Sequence, residues 1–366
     1  MQKIDNIEIK NFKSIRHQKI EGCKRINVFI GYPNTGKSNI LEALSLFSID
    51  RPDADFDSFV RIAKLPTLFF NANVSEDIEV RINNENRIIA ALRESNKIRV
   101  DWQLTGEGAS FEKMGPGVQQ TIYGMLNFIK SEDESKISNW DSIFKRLPRP
   151  DDFYKELGAG YLATIKKYQF EKHVISSSGK YDSLAVPNGE NIFAIINTRP
   201  DLKKEVAGLF EPYDLKLLYD SSDEEFKIYK FLEQETIFTI HFKLIADTLR
   251  HLIFYKAAIA SNKDSILLFE EPEAHMFPPY ISKFTGSVWE SNTNQFFITT
   301  HSPYVINDFL ENCKDELNIY LVNYEKGETK ILKLSDENLD TIYNMGTESI
   351  FYNLEKFSID ENTIHA

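Results

Sequence analysis

Residues 31–38 read Gly-Tyr-Pro-Asn-Thr-Gly-Lys-Ser and decide the fold. They fit the pattern G-x-x-x-x-G-K-[ST], in which small residues let backbone N–H groups wrap the phosphates of a nucleotide. The apolar run Ile26–Ile30 predicts a buried strand just before this loop, and the apolar residues from 40 to 47 have helical spacing. A loop between such a strand and such a helix predicts a nucleotide-binding site. A chance match in an ordinary turn is the alternative.

The pattern gives each polar residue of the loop a role. Lys37 supplies a positive charge to the β- and γ-phosphates, and Ser38 offers a hydroxyl to Mg²⁺. The other candidates for nucleotide contact in and beside the loop are Gly31, Asn34, Thr35, Gly36 and Asn39.

A second motif lies at residues 266–271, where Ile-Leu-Leu-Phe-Glu-Glu describes an apolar strand that ends in two carboxylates. A phosphate loop needs such a strand beside it. We assign Glu270 to the metal ion and Glu271 to the base that polarises the attacking water. An acidic, solvated turn is the other interpretation. It is weak because two charges that close an apolar strand are unfavourable without a cation to pair with.

A third motif, Thr-Thr-His-Ser-Pro, follows at residues 299–303 and ends the next predicted strand, 295–299. This position puts His301 at the C-terminal edge of the sheet, where ligands of α/β proteins bind. There it can reach the γ-phosphate or the attacking water. A lone histidine is more often structural, but its place at the end of a neighbouring strand favours a role in the site.

Strands and helices alternate after residue 243, which predicts a parallel sheet with right-handed crossovers. Residues 77–82, 86–92 and 97–104 predict an antiparallel meander. The stretch 118–240 reads as mostly helical and irregular, without repeats or heptads. The predicted fold class is therefore α/β, with a mixed sheet, an antiparallel β subdomain and a helical insert.

Composition limits the partners and the compartment. The 366 residues include 43 Lys and Arg against 55 Asp and Glu, a net charge of −12. This balance argues against a dedicated DNA-coating protein but does not exclude a local basic groove. The two cysteines, Cys23 and Cys313, cannot form a disulfide framework, and no apolar run approaches the roughly 18 residues that span a bilayer. We expect a cytoplasmic protein with no membrane contact.

Basic residues cluster near the N-terminus, which leaves two interpretations open: a DNA-binding face or an ordinary solvated face. The members of this cluster are Lys10, Lys13, Arg16, Lys19, Lys24 and Arg25.

The motifs together resemble the ABC-type P-loop ATPases of the RecF/SMC/OLD group. Residues 7–16, Ile-Glu-Ile-Lys-Asn-Phe-Lys-Ser-Ile-Arg, look like the opening strand of that group. Residues 270–275 and 300–303 are close to the motifs of stand-alone prokaryotic AAA family ATPases related to OLD. The resemblance covers about residues 1–104 and 240–325. It implies ATP and Mg²⁺ as cofactors and ATP hydrolysis as the activity.

The resemblance also divides the chain. It implies that residues 1–117 and 241–366 are the N- and C-terminal parts of one ATPase head, with the mostly helical insert at 118–240 between them. The residues after His301 contain no Asp-x-Asp pair, so we expect no fused Toprim nuclease of the kind that OLD proteins carry.

In this family the nucleotide is sandwiched between two subunits, which implies a homo-oligomer of at least two chains. The partner's signature segment resembles residues 245–250, Ile-Ala-Asp-Thr-Leu-Arg, with Ala246 in the serine position. The resemblance makes Asp247 and Thr248 nucleotide contacts, and a plain helix N-cap is the alternative for Asp247. No glutamine of the family's lid is evident in the sequence. Arg61 resembles an arginine that follows the first helix in these proteins, and a surface or salt-bridge role is its alternative.

Two functions follow from the resemblance. The first is a nucleotide-driven conformational switch in a bacterial DNA-maintenance or anti-phage defence system. The alternative is an ATP-stabilised oligomeric scaffold with little turnover, which holds or regulates a separately encoded effector such as a nuclease. DNA as a ligand stays open.

Overall fold

The computed structural model describes residues 3–48, 56–83, 86–93, 97–103, 164–172, 182–233 and 236–357. The strands in these residues are, in chain order, β1 (Ile7–Phe12), β2 (Ile15–Ile20), β3 (Ile26–Ile30), β4 (Ile78–Ile82), β5 (Asn86–Arg93), β6 (Lys97–Gln103), β7 (Ile165–Tyr168), β8 (Lys216–Asp220), β9 (Glu225–Phe231), β10 (Ile237–His241), β11 (Ile266–Glu270), β12 (Gln295–Thr299), β13 (Leu317–Glu325) and β14 (Glu328–Lys333).

The α-helices in the same residues are α1 (Lys37–Ser45), α2 (Phe56–Phe59), α3 (Ile192–Thr198), α4 (Pro200–Gly208), α5 (Asp247–Ser261), α6 (Pro278–Glu290), α7 (Pro303–Cys313), α8 (Asp336–Met345) and α9 (Glu348–Tyr352). None of the described helices has the length and apolar character that crossing a membrane requires.

The central element is a six-stranded sheet with the order β14-β13-β3-β12-β11-β7. Strands β13, β3, β12, β11 and β7 are parallel, and β14 pairs antiparallel with β13 at one edge. Every residue of β3 and β12 is buried, as expected for parallel strands covered on both faces. This mixed sheet confirms the predicted fold class and brings the ends of β3, β11 and β12 to one edge.

A second sheet has the order β2-β1-β4-β5-β6 and is antiparallel throughout. The three predicted meander strands fall on β4, β5 and β6. Buried and half-buried residues alternate along β4, so one face of this strand packs into the core. The two sheets meet where the backbone N–H of Thr329 in β14 donates to the carbonyl of Ser14 between β1 and β2, at 2.8 Å.

The expectation for the stretch 118–240 is wrong in its described part, which is mixed rather than mostly helical. It holds helices α3 and α4, but also strand β7 and an antiparallel sheet of order β10-β9-β8. Strand β7 is hard to recognise because its sequence is Ile-Lys-Lys-Tyr. The side chain of Lys167 is buried nonetheless, since its Nζ donates to the carbonyl of Phe59 at 2.6 Å. The proposed boundary at 117/118 lies outside the described residues.

Candidate nucleotide-binding site

A cleft of about 800 Å³ opens at the C-terminal edge of the central sheet. Segments far apart in the sequence line it: the loop after β3, the start of α1, and the ends of β7, β11 and β12. The predicted residues that line it are Asn34, Gly36, Lys37, Ser38, Asn39, Glu270, Glu271 and His301. The structure therefore brings the three sequence motifs into one site.

The loop after β3 has the backbone that a phosphate cradle needs. Asn34 and Gly36 have φ angles of 63° and 98°, in the left-handed region that turns the chain sharply. The hydroxyl of Thr35 donates to the carbonyl of Tyr32 at 3.0 Å and closes this turn. Helix α1 begins at Lys37, so its first N–H groups face the cleft from the loop.

The ammonium of Lys37 folds back over its own loop. Its Nζ donates to the carbonyls of Gly31 at 3.1 Å and Tyr32 at 2.8 Å. Burial lowers the pKa of Lys37 to about 8, although the charges of Glu271 and Glu270 oppose that shift. Among the described residues, both hydrogen-bond acceptors of this buried cation are backbone carbonyls, so it is well suited to an anionic ligand.

Glu270, at the end of β11, is paired with the guanidinium of Arg61. Nη2 of Arg61 donates to Oε1 of Glu270 at 3.0 Å, while Nε of Arg61 donates to Oε1 of Glu42 at 2.7 Å. Glu42 is fully buried on α1 and is also paired with Lys13. Arg61 thus has the salt-bridge role that the sequence left as an alternative, and this pair reaches into the site.

Glu271 and His301 face each other across the ends of β11 and β12. Nε2 of His301 lies 3.3 Å from Oε1 of Glu271, and about half of the Glu271 side chain is exposed. Burial, with the charge of Lys37, lowers the pKa of His301, and Glu271 opposes this. The backbone N–H of Glu271 donates to the carbonyl of Thr299 at 3.0 Å, which fixes the turn that presents the carboxylate.

Glu273 was not among the predicted site residues, yet it contacts the segment that carries His301. Its Oε1 accepts hydrogen bonds from the hydroxyl of Thr300 at 2.5 Å and from the backbone N–H of His301 at 3.1 Å. Its Oε2 is buried and has no hydrogen-bond partner among the described residues. Burial raises the pKa of Glu273 to about 7. The motif Glu-Glu-Pro-Glu contains this residue, but nothing in the pattern marks it as buried.

Gln169 was also not among the predicted site residues. It follows β7 directly, lines the cleft, and donates its backbone N–H to the carbonyl of Pro187 at 2.9 Å. Gln169 is thus a glutamine at the end of a strand beside β11. The family resemblance implies such a glutamine, but the sequence alone did not reveal it. Only the pairing of β7 with β11 makes it visible.

The signature-like segment lies at the start of α5. Ala246 is the N-cap residue and Asp247 the first helical residue, so the interpretation of Asp247 as a plain N-cap is wrong. The carboxylate of Asp247 instead pairs with Lys172 at 2.7 Å and with Arg250. The hydroxyl of Thr248 donates to the carbonyl of His275 at 2.6 Å. Asp247 and Thr248 are not among the described residues that line this chain's own cleft.

The remaining predicted contacts have structural partners. Gly31 and Thr35 belong to the loop, but neither lines the cleft in the described part of the chain. Nδ2 of Asn39 donates to Oγ of Ser14 at 2.6 Å. Ser38 lies next to Lys37 and lines the cleft.

The chemistry of the donor set fits Mg²⁺. The carboxylate of Glu270 and the hydroxyl of Ser38 are hard oxygen donors, which Mg²⁺ prefers. The contact between Arg61 and Glu270 supports this fit, because the carboxylate of Glu270 already faces a positive charge in the cleft. The two sequence-predicted metal ligands, Ser38 and Glu270, line the same cleft.

The basic N-terminal cluster does not form one free cationic face. Four of its six members are in ion pairs: Lys10 with Glu8 and Glu79, Lys13 with Glu42, Lys19 with Glu8, and Arg25 with Glu316. Arg25 is almost fully buried, and its guanidinium also donates to the carbonyls at the C-terminal end of α6. Most of this cluster is used to hold the fold together.

Three features define a P-loop ATPase of the ABC type. A phosphate loop follows the central strand β3, a histidine follows the neighbouring strand β12, and acidic residues end β11, the strand beyond it. The chain belongs to the AAA ATPase domain family, whose model matches residues 2–249 and 243–306. Part of its sequence is similar to RecF, and its fold is similar to that of SMC heads.

The sequence relatives are partial matches. An uncharacterised protein of Methanocaldococcus jannaschii is 31% identical over 107 residues, 26% of this chain and 48% of that protein. The DNA replication and repair protein RecF of a Thermoanaerobacter species is 29% identical over 111 residues, 28% of this chain and 30% of RecF. The chain thus matches about half the length of the first relative and under a third of RecF.

Solved structures show the same fold at low identity. The SMC head bound to the C-winged helix domain of ScpA aligns with a TM-score of 0.51 and 16% identity, covering 91% of this chain and 98% of that one. At this identity the likeness shows the fold alone.

Proposed function

We propose that this protein binds and hydrolyses ATP with Mg²⁺ and uses the cycle as a conformational switch between subunits. The observation that supports this proposal is the convergence of Lys37, Ser38, Glu270, Glu271 and His301 on one cleft from three strand ends. Each group has the chemistry that one part of phosphoryl transfer requires.

The chain's residues divide the work as follows. The loop N–H groups and Lys37 bind the phosphates, and Ser38 with Glu270 would hold the metal ion. Bound Mg²⁺ supplies charge neutralisation at the β- and γ-phosphates. Glu271 orients and deprotonates the attacking water, and His301, 3.3 Å away, positions Glu271 and the γ-phosphate. Gln169 follows β7, the neighbour of β11, and lines the same cleft, where it can sense the γ-phosphate.

Two subunits would close over the nucleotide, with Asp247 and Thr248 at the N-terminus of the partner's α5 as contacts. Ala246 offers no hydroxyl there, so the contribution to closure comes from backbone N–H groups and the helix dipole. The RecF relative is a DNA replication and repair protein, which supports a role in DNA maintenance. We extend this proposal to a role in anti-phage defence and to a separately encoded effector protein. The free thiols of Cys23 and Cys313 suit the cytoplasm.

Steady-state ATP turnover with Mg²⁺, with and without duplex DNA at low salt, tests the proposal. Glu271→Gln should bind ATP but lose about a hundredfold or more of the turnover, because it lacks the base. Glu290→Gln, at the C-terminal end of α6, is the matched control and should turn over as wild type. Equal turnover by Glu271→Gln and wild type would show the base assignment to be wrong.

Ala246 favours a second candidate, the ATP-stabilised scaffold with little turnover, because the residue removes a ligand that helps the closed state react. In that case wild type and Glu271→Gln both turn over negligibly, yet ATP increases the molecular mass measured by light scattering. A rise of mass with ATP in the absence of turnover supports the scaffold. Turnover that increases with DNA supports the switch.

A further inference from the structure

A chain of three hydrogen bonds joins Asn39 and Ser14, which line the cleft, to Thr329 and Thr35, which do not. Nδ2 of Asn39 lies 2.6 Å from Oγ of Ser14, and Oγ of Ser14 lies 2.6 Å from Oγ1 of Thr329. Oγ1 of Thr329 lies 2.8 Å from the carbonyl oxygen of Thr35. This series of hydrogen bonds starts at Asn39 on α1 and ends at Thr35 in the loop, so its two ends flank residues 36–38.

The direction of every bond in this chain is fixed by chemistry. The amide Nδ2 of Asn39 can only donate, and the carbonyl of Thr35 can only accept. Thr329 must therefore give its one hydroxyl hydrogen to Thr35, and Ser14 must give its own to Thr329. Ser14 in turn accepts from Asn39. Removal of any hydroxyl leaves donors or acceptors beside it unsatisfied, and Thr329 is completely buried.

Thr329 also fills the space behind Gly36. A Cβ placed on Gly36 would lie 2.2 Å from Oγ1 of Thr329 and 2.6 Å from Oγ of Ser14, too close for either to remain. The backbone N–H of Thr329 donates to the carbonyl of Ser14 at 2.8 Å, which fixes the position of β14 against the turn between β1 and β2. The rear wall of the loop is thus built by Thr329, which is 294 positions from Thr35 and 315 positions from Ser14 in the sequence.

We propose that Thr329 is a positioning residue of the phosphate loop: its hydroxyl sets the conformation in which residues 36–38 bind phosphate, although Thr329 does not line the cleft. This inference rests on the proposed function, because one of its tests measures the binding of an ATP analogue. It also assigns the β13–β14 hairpin a part in nucleotide binding that no motif in the sequence indicates.

The test compares Thr329→Ala with Thr329→Ser. Both remove the γ-methyl group, but only Ser keeps the hydroxyl. Binding of a fluorescent ATP analogue with Mg²⁺ should weaken about three- to tenfold in Thr329→Ala and return to within about twofold of wild type in Thr329→Ser. Thr341→Val removes a hydroxyl that donates to the Glu337 carbonyl on α8, and should bind as wild type.

A second measurement needs no nucleotide. Amide hydrogen exchange of residues 36–39 in the nucleotide-free protein should accelerate in Thr329→Ala and stay at the wild-type rate in Thr329→Ser and Thr341→Val. Unchanged exchange together with unchanged binding in Thr329→Ala overturns the inference. If wild type itself binds no ATP analogue, the proposed function fails, and the exchange rates still decide whether Thr329 positions the loop.

Discussion

Nη2 of Arg61 lies 3.0 Å from Oε1 of Glu270, so the carboxylate assigned to the metal ion is paired with an arginine. The same guanidinium donates through Nε to the buried Glu42 at 2.7 Å. The charge of Glu270 is one of the causes that raise the pKa of Arg61, against its burial. A metal ion that reaches Glu270 must therefore share the carboxylate with Arg61 or displace it.

Removal of this arginine should make the metal ion bind more readily. In Arg61→Gln, we expect the Mg²⁺ concentration for half-maximal binding of an ATP analogue to fall up to about fivefold, the effect of one partly exposed ion pair. A Mg²⁺ titration at fixed analogue concentration measures this. Arg81→Gln, which removes a partner of Glu79 on β4, is the control and should leave the requirement unchanged. A higher Mg²⁺ requirement in Arg61→Gln would mean that Arg61 contacts the nucleotide itself.

Nucleotide affinity should depend on the charge of Lys37. Its pKa is lowered to about 8, first by burial. Because phosphate binds the protonated form, the affinity should be constant below about pH 8 and fall by up to tenfold per pH unit above it. Dissociation constants of the ATP analogue across this range measure the effect. Lys37→Arg keeps its charge and should show a flat profile, even if its affinity is lower. A wild-type profile that stays flat to about pH 9.5 contradicts the prediction.

Glu273 should make the protein less stable as pH rises. Its pKa is raised from the ordinary value of 4.5 to about 7 in the folded protein, mainly by burial. The folded state therefore binds more protons than the unfolded state between these values. The stabilisation from protonated Glu273 is complete below about pH 4.5 and is lost as pH rises through about 7, at up to roughly 1 kcal/mol per pH unit.

Glu273→Gln should remove this slope, because the amide does not titrate while its Oε1 can still accept from Thr300 and His301. Denaturant unfolding of wild type and variant between pH 5 and pH 8 measures the difference in their free energies of unfolding. Glu290→Gln is the control, since that side chain is exposed and should not alter the slope. Parallel curves for wild type and Glu273→Gln would show that Glu273 is ionised in the folded protein.

The parts of the site that the sequence predicted are those carried by apolar strands. Strands β3, β11 and β12 are short apolar runs followed at once by polar motifs, so the positions of Lys37, Glu270 and His301 could be inferred from the ends of the runs. Parallel strands end at a common edge, and this rule alone places the three residues together.

The parts that the sequence did not predict depend on contacts between distant residues. Strand β7 carries two lysines, and the buried Lys167 donates a hydrogen bond from its Nζ to the carbonyl of Phe59. Gln169 was therefore invisible without the pairing of β7 with β11. The same holds for Thr329 and Ser14, since neither belongs to a recognisable motif of phosphate binding and each is placed by the other.

The tight contact behind Gly36 leads to a prediction that separates two effects of a methyl group. Gly36→Ala and Gly327→Ala both place a side chain on a left-handed residue, with φ angles of 98° and 88°. The cost of that conformation, about 1–2 kcal/mol, is therefore common to both variants. At Gly327, in the turn of the β13–β14 hairpin, nothing lies within 4 Å of the new Cβ. At Gly36 the new Cβ would lie 2.2 Å from Oγ1 of Thr329.

Gly327→Ala should accordingly lose only the conformational term in its free energy of unfolding and bind the ATP analogue as wild type. Gly36→Ala should lose more stability and at least about tenfold in affinity, because either Thr329 or the loop must move and the hydrogen bond to Thr35 is broken in both cases. Urea unfolding and analogue titration on the same samples give both quantities. If the two variants lose equal stability and Gly36→Ala binds as wild type, then Thr329 yields freely, and the rear wall of the loop is not the rigid support that the hydrogen bonds imply.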